Sequence, residues 1–242
     1  MKKQYWLILL TYVLMQLSGL VGPFLLLSIG VGGGQPRHAA GQIASGYWAV
    51  FSFLAALIIT ILLIRADKGE AELRGKPASP SLSAFWAVCG IFLALFAQSI
   101  AGMIETYVLH IKPGSENTKT IVEFISYTPL LVIVVAIVGP ILEEIVFRKI
   151  IFGSLYKRTN NFFIAALISS LIFALVHFEP VHVLLYSAMG FTFAFLYVRT
   201  KRIIVPMIAH MSMNTLVILV NFGLKDQIEQ LNHQMQLIIG GL

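Results

Sequence analysis

Residues 44–64 read ASGYWAVFSFLAALIITILLI and stop at Arg65. No side chain in that run carries a charge. At ~1.5 Å per helical residue it is long enough to cross the ~30 Å hydrocarbon core of a bilayer. Six further stretches resemble it: Tyr5–Ser28, Ser83–Ile104, Phe124–Leu142, Phe162–Phe178, Val183–Val198 and Ile203–Phe222. The expected fold is therefore all-α, a polytopic transmembrane bundle of about seven spans. Composition agrees. The chain is 58% hydrophobic and 12% charged, against roughly 45–50% and 25% in soluble domains.

The loops between these runs test the count. With a cytoplasmic N-terminus, one side of the membrane holds Lys2, Lys3, Arg65, Lys68, Arg74, Lys76, Arg148, Lys149, Lys157, Arg158, Arg199, Lys201 and Arg202. The other side holds Arg37, Lys112, Lys119 and Lys225, which completes the 17 basic residues. That asymmetry follows the positive-inside rule. It places the protein in the cell membrane with an extracytoplasmic C-terminus. The net charge of +6 is then a product of topology, and no nucleic-acid partner is expected.

The remaining segments carry little chemistry. Lys2 and Lys3 precede an uncharged run too long for a signal peptide, which reads as an uncleaved first span. Gly30–Gly34 reads as a flexible loop with no phosphate-binding fingerprint. Cys89, the single cysteine, reads as a packed side chain. The Ile-Ile-Gly-Gly-Leu end carries no prenylation signal. Tyr5, Trp6, Tyr47, Trp48 and Trp86 fall at span ends, as an aromatic belt does. Residues 1–119 thus hold three spans, 120–222 the four that bear polar groups, and 223–242 a tail. Leu224, Ile228, Leu231, Met235 and Ile238 give that tail the spacing of an amphipathic helix on the outer surface.

Ionisable groups inside spans are functional by default. The first three spans have none. The fourth ends in Glu143-Glu144-Ile-Val-Phe-Arg148, the fifth in His177, and the seventh contains His210 and Asn214. Glu144 and Arg148, four apart, share a helix face and can pair. Glu143 points ~100° away and is the freer carboxylate. His210 and Asn214 also share a face. Gly139-Pro140 is expected to kink the fourth span. Depths reckoned from the helical rise overlap near the membrane middle, so one pocket can collect all of these groups. A carboxylate and histidine can activate water. A second histidine and an amide can donate to an oxyanion. The same set could instead hold a metal through Glu143, His177 and His210. No cofactor is firmly implied, although a divalent metal such as zinc fits that second reading.

Glu-Glu-x-x-x-Arg (Glu143, Glu144, Arg148), Phe-x-x-x-His (Phe173, His177) and His-x-x-x-Asn (His210, Asn214) together resemble the CPBP family. This family takes in CAAX prenyl proteases of the Rce1 type and bacteriocin-processing or immunity membrane endopeptidases. The resemblance covers about residues 120–222. It implies an intramembrane endopeptidase acting on a membrane-associated peptide or protein. Glu143 would be the general base, His177 would help activate water, His210 and Asn214 would form the oxyanion site, and Glu144 with Arg148 would support the motif helix. The short chain and its charge bias suggest a bacterial member, active in peptide maturation or bacteriocin immunity on an unprenylated substrate.

Blander readings compete. The two glutamates could be a helix-end charge pair, and His210 and Asn214 interhelical glue. His182, in the Glu179-Pro180 turn, reads as structural, and Glu105 as interfacial. A proton-coupled transporter would also use Glu and His in the membrane. It would more often show two related halves, whereas these groups crowd into one. A non-catalytic binding or immunity protein would tolerate a lost motif residue, and none is lost.

Overall fold

The computed structural model describes residues 2–67, 73 and 75–223, and every regular element among them is helical. The elements are α1 (Lys3–Ser18), α2 (Gly22–Ser28), α3 (Arg37–Ala66), α4 (Pro80–Met103) and α5 (Glu116–Tyr127). A long helical run, α6, then joins segments Leu131–Ile133, Val134–Val138, Gly139–Glu143, Glu144–Phe152 and Gly153–Thr159. It is followed by α7 (Phe162–Leu175), α8 (Val183–Thr200) and α9 (Ile204–Gly223). Four helical stretches are long and apolar enough to cross a membrane: Arg37–Ala66, Pro80–Val108, Pro180–Thr200 and Ile204–Phe222. The bent pair α1–α2 meets the same test when its two helices are taken together, which gives four to five candidate spans. The expected tail helix over 223–242 lies, beyond Gly223, outside the described residues.

Two expected spans differ in form. The first, read as one crossing over Tyr5–Ser28, is broken into α1 and α2 with a 50° bend. Gly19 ends α1, and the Gly22-Pro23 pair starts α2, where proline's missing N–H costs nothing. The bend brings Gly22 under the Trp48 ring. A Cβ there would lie 1.8 Å from Trp48 Cε2. Gly22→Ala is therefore expected to destabilise the fold by about 1–3 kcal/mol through overpacking. An unchanged melting temperature in detergent would refute that contact.

The fourth span does not begin at Phe124. Residues 124–127 finish the amphipathic helix α5, and α6 starts at Leu131. Pro129 drives Thr128 out of the helical region, to φ −137 and ψ 83. Hydropathy runs on through this break because Pro129, Leu130 and Leu131 are themselves apolar. Farther along α6, the expected Gly139-Pro140 kink takes the form of a widened π turn over Val134–Val138, directly before the proline. Such turns relieve the missing hydrogen bond that proline imposes.

Helix ends follow local chemistry. Ser79 caps α4 by accepting from Leu82 N at 3.3 Å. Ser115 caps α5 through Thr118 N at 2.9 Å, and Asn161 caps α7 through Ile164 N at 3.1 Å. Asn160 and Lys201, both left-handed, close α6 and α8.

α6 lies at the centre. Glu144, Arg148, Ile150 and Phe152 on it are fully buried. Of the most apolar windows, 17% of the residues in α3 and 22% in α4 are buried, against 44% in α8 and 39% in α9. The outer helices thus turn most of their apolar side chains outward, as lipid-facing helices do, and the core sits around the motif helix. α1 also reaches it: Tyr5, Ile8 and Tyr12 are buried in the cluster that contains Leu142, Phe147 and Phe173. Tyr5 is therefore a core residue, although its place in the sequence suggested a belt anchor.

Candidate active site

The two glutamates of α6 sit in different surroundings. The Glu144 side chain is fully buried, whereas that of Glu143 is 17% exposed. His210, on α9, faces both. Its Nδ1–H donates to Glu144 Oε1 at 3.0 Å, and its Nε2 lies 3.6 Å from Glu143 Oε2. A stack on Phe193, with ring centroids 4.8 Å apart, fixes the ring plane. Glu144 holds the imidazole by one nitrogen and so presents the other to Glu143.

Arg148 closes the rear of this arrangement. Its Nε is 3.3 Å from Glu144 Oε2, and both side chains have no exposed surface. None of its guanidinium N–H groups has an aligned acceptor. The short distance and the missing hydrogen bond describe a charge contact set at a poor angle. Aromatic faces take up the rest of the cation: Phe173 at 4.4 Å, Phe193 at 5.4 Å and Phe147 at 5.9 Å from the guanidinium carbon. Cation–π attraction is strongest where water is excluded, as here.

His177 lies just past the end of α7. Its Nδ1 is 2.8 Å from the Phe173 carbonyl. A carbonyl only accepts, so Nδ1 carries the hydrogen and Nε2 keeps its lone pair when the ring is neutral. Phe173 is the shared wall of the site. Its ring lies 4.7 Å from His177 and 5.8 Å from His210, edge-on to each. Asn214, also on α9, is tied to α6. Its Nδ2 donates to the Val135 carbonyl in the π turn of α6, at 2.9 Å, which leaves one amide hydrogen and the side-chain oxygen.

A metal held through Glu143, His177 and His210 would need their donor atoms to converge on one point. No three His, Cys, Asp or Glu side chains among the described residues are so grouped. His210 faces a carboxylate at each ring nitrogen, at 3.0 and 3.6 Å, and His177 keeps Nε2 while its Nδ1 meets backbone.

Tyr12 was not singled out in the sequence, and Glu105, His182 and Glu179 were given no part in the site. Tyr12 of α1 is buried, sets its ring edge-on to Phe147 at 5.7 Å and accepts from Gln16 at 3.2 Å. Glu105, at the end of the helical stretch that includes α4, is also buried. It accepts from Leu185 N at 2.9 Å, at the start of α8, and meets His182 Nδ1 at 2.8 Å. The second His182 nitrogen reaches the Gly114 carbonyl at 2.9 Å. His182 thus joins three segments at one end of the bundle.

Beside it, Glu179 receives Ser115 Oγ and Tyr186 OH at 2.7 Å and Asn117 N at 2.9 Å. Burial pushes the Glu179 carboxyl up, but these three donors outweigh it and hold the carboxyl below its ordinary 4.5. The stabilisation from these ties is complete above 4.5 and is lost as pH falls through the lower folded value. Wild type should therefore melt above Glu179→Gln by a constant margin at higher pH, and the margin should shrink as pH falls below 4.5. A pH-independent margin would remove the carboxylate from this account.

A buried ion pair, two imidazoles and a partly exposed carboxylate thus gather on α6, α9 and the end of α7. Residues 125–216 match the family model described as type II CAAX prenyl endopeptidase, Rce1-like. The chain is 54% identical to YdiL of Bacillus subtilis strain 168, named as a candidate membrane peptidase, over all of this chain and 99% of that protein. It is 34% identical to the membrane-embedded CAAX protease MroQ of Staphylococcus aureus strain USA300, over 77% of this chain and 79% of that protein. No solved structure matches it. The chain belongs to the Rce1-like CAAX protease family and is a membrane hydrolase of the peptidase type.

Proposed function

We propose that this protein is a glutamate-dependent intramembrane endopeptidase with Glu143 as its general base. The observation that carries this reading is His210 bridging the two carboxylates, Nδ1 to Glu144 and Nε2 toward Glu143. Water held between Glu143 and His177 gives a proton to the Glu143 carboxylate as its oxygen attacks the scissile carbonyl carbon. The resulting oxyanion is met by the free amide hydrogen of Asn214 and by His210, whose Nε2 donates in the doubly protonated form of the ring because Nδ1–H is given to Glu144. Glu143 then returns its proton to the leaving amine nitrogen as the C–N bond breaks. Glu144 and Arg148 keep His210 in register and touch no substrate.

The substrate is a membrane-associated peptide or protein, in peptide maturation or bacteriocin immunity. Kinship with a protein named as a membrane-embedded protease supports delivery from the bilayer. In this reading α6 and the short apolar helix α7 also cross, which makes seven spans with the N-terminus in the cytoplasm.

Purified protein should cleave some member of a panel of quenched fluorescent membrane peptides, including a prenylated CAAX peptide. Cleavage should survive a chelator and disappear in His210→Ala. Loss with chelator and recovery with zinc would replace the glutamate mechanism. A panel cleaved equally by wild type and His210→Ala would remove this site from the reaction.

A further inference from the structure

His177 needs outside support that its own helix does not supply. α7 ends at Leu175, and His177 stands in the turn that follows. The next residue, Phe178, is left-handed at φ 56, a conformation unfavourable to a bulky side chain. One contact fixes the imidazole along its edge, the Nδ1 bond to Phe173 O. That bond alone leaves the ring plane free to tilt.

The plane is set from α8. The Tyr186 ring stacks on His177 with centroids 4.1 Å apart and planes 25° apart, whereas Phe173 meets it edge-on. Tyr186 is fixed in turn at its hydroxyl, which donates to Glu179 Oε2 at 2.7 Å. Glu179 is anchored by Ser115 Oγ and Asn117 N, at the start of α5. Three segments thus converge to hold one aromatic ring against one imidazole. The same ties hold the left-handed turn, because Glu179 directly follows Phe178.

We infer that Tyr186 and Glu179 are a positioning pair for His177: the tyrosine ring sets the imidazole plane, and the Glu179 carboxylate fixes the tyrosine. The inference rests on the reading that His177 serves the hydrolytic site. Neither residue touches the reacting atoms. Their effect is on the fraction of enzyme whose Nε2 faces the Glu143 water, and therefore on kcat more than KM. Misplacement of a reacting group by ~1 Å can cost about 10²-fold.

The test uses full-length protein in detergent with Tyr186→Leu, Tyr186→Phe, Glu179→Gln and the control Glu143→Ala. Kinetics on a peptide that wild type cleaves are paired with melting temperatures and with spectra of ring-labelled histidine. Tyr186→Leu should lower kcat by about 10–100-fold with KM within about twofold. Its His177 ring signals should move downfield as the tyrosine ring current is lost. Tyr186→Phe keeps the ring but loses its tie to Glu179, so its kcat and His177 signals should fall between those of Tyr186→Leu and wild type. Glu179→Gln keeps an acceptor for the hydroxyl and should be no more impaired than Tyr186→Phe.

Wild-type kcat with unmoved His177 signals in Tyr186→Leu would overturn the inference. So would a Tyr186→Phe variant as impaired as the leucine one. If Tyr186→Leu fails to fold, Tyr186→Phe and Glu179→Gln carry the same comparison against wild type. Failure of the peptidase reading looks different: Glu143→Ala would cleave like wild type, or nothing would be cleaved. The His177 spectra would still decide whether Tyr186 sets the ring.

Discussion

Glu143→Ala is expected to lower kcat by about 10²–10⁴-fold, the range lost with a general base, while leaving the fold intact. Two features make these effects separable. Glu143 is the less buried of the two carboxylates, at 17% exposure of its side chain. The ion-pair distance it makes among the described residues is to His210 Nε2, at 3.6 Å, too far for a strong hydrogen bond. Removing it therefore frees no tightly paired charge, and the melting temperature should move by no more than an ordinary partly exposed substitution allows. Glu143→Gln should be nearly as inactive, because an amide has the shape of the carboxylate without its basicity. KM should stay close to wild type in both variants, since the lost interaction is made only in the transition state. Substantial cleavage by Glu143→Gln would move the base elsewhere in the site, with the lone pair of His177 Nε2 the next candidate.

The ingredients of this site were legible in sequence because charge is scarce in the spans. Glu143, Glu144, Arg148, His177 and His210 stand out against apolar runs, and helical spacing paired Glu144 with Arg148 before any coordinates. Other features were hidden by the same hydropathy. The run from Phe124 to Leu142 reads as one span, although Thr128-Pro129 divides it into a helix with a polar face and a buried one. The Tyr5–Ser28 run hides the 50° bend in the same way. The tie between Asn214 and Val135 depends on a π turn, whose five-residue hydrogen bonding leaves no mark on a pattern read at 3.6 residues per turn. Tyr186 is one more aromatic in an apolar run, and Glu179 lies in a connector, so neither stands out by charge in a span. Their roles depend on a left-handed residue between His177 and Glu179, which turns the chain back on itself. That conformation at a phenylalanine is set by tertiary contacts, not by local preference.

The largest stability effect should come from Arg148. Arg148→Met keeps the aliphatic bulk that packs among Phe147, Phe173 and Phe193, yet it leaves Glu144 fully buried with only His210 beside it. Breaking one half of a buried ion pair costs about 3–5 kcal/mol, because the surviving charge is left without compensation. Glu144→Gln should be similarly costly, since it leaves a guanidinium with no exposed surface and no aligned acceptor. Removing both charges together should be far milder. Glu144→Gln with Arg148→Met retains shape and eliminates the desolvation penalty of two ions, and such exchanges are often near neutral. The double variant should therefore be more stable than the sum of the single effects predicts, by a coupling of more than about 1 kcal/mol, read from unfolding in mixed micelles. Additive losses would mean that the 3.3 Å approach of these two groups contributes no coupling and that the phenylalanine rings alone hold Arg148 in place. With coupling, the pair has a cost that packing alone does not require. The double variant should then remain folded but inactive, because His210 loses the carboxylate that orients its Nε2 toward Glu143. That combination, stability recovered and cleavage not, would separate what the ion pair does for the fold from what it does for the chemistry.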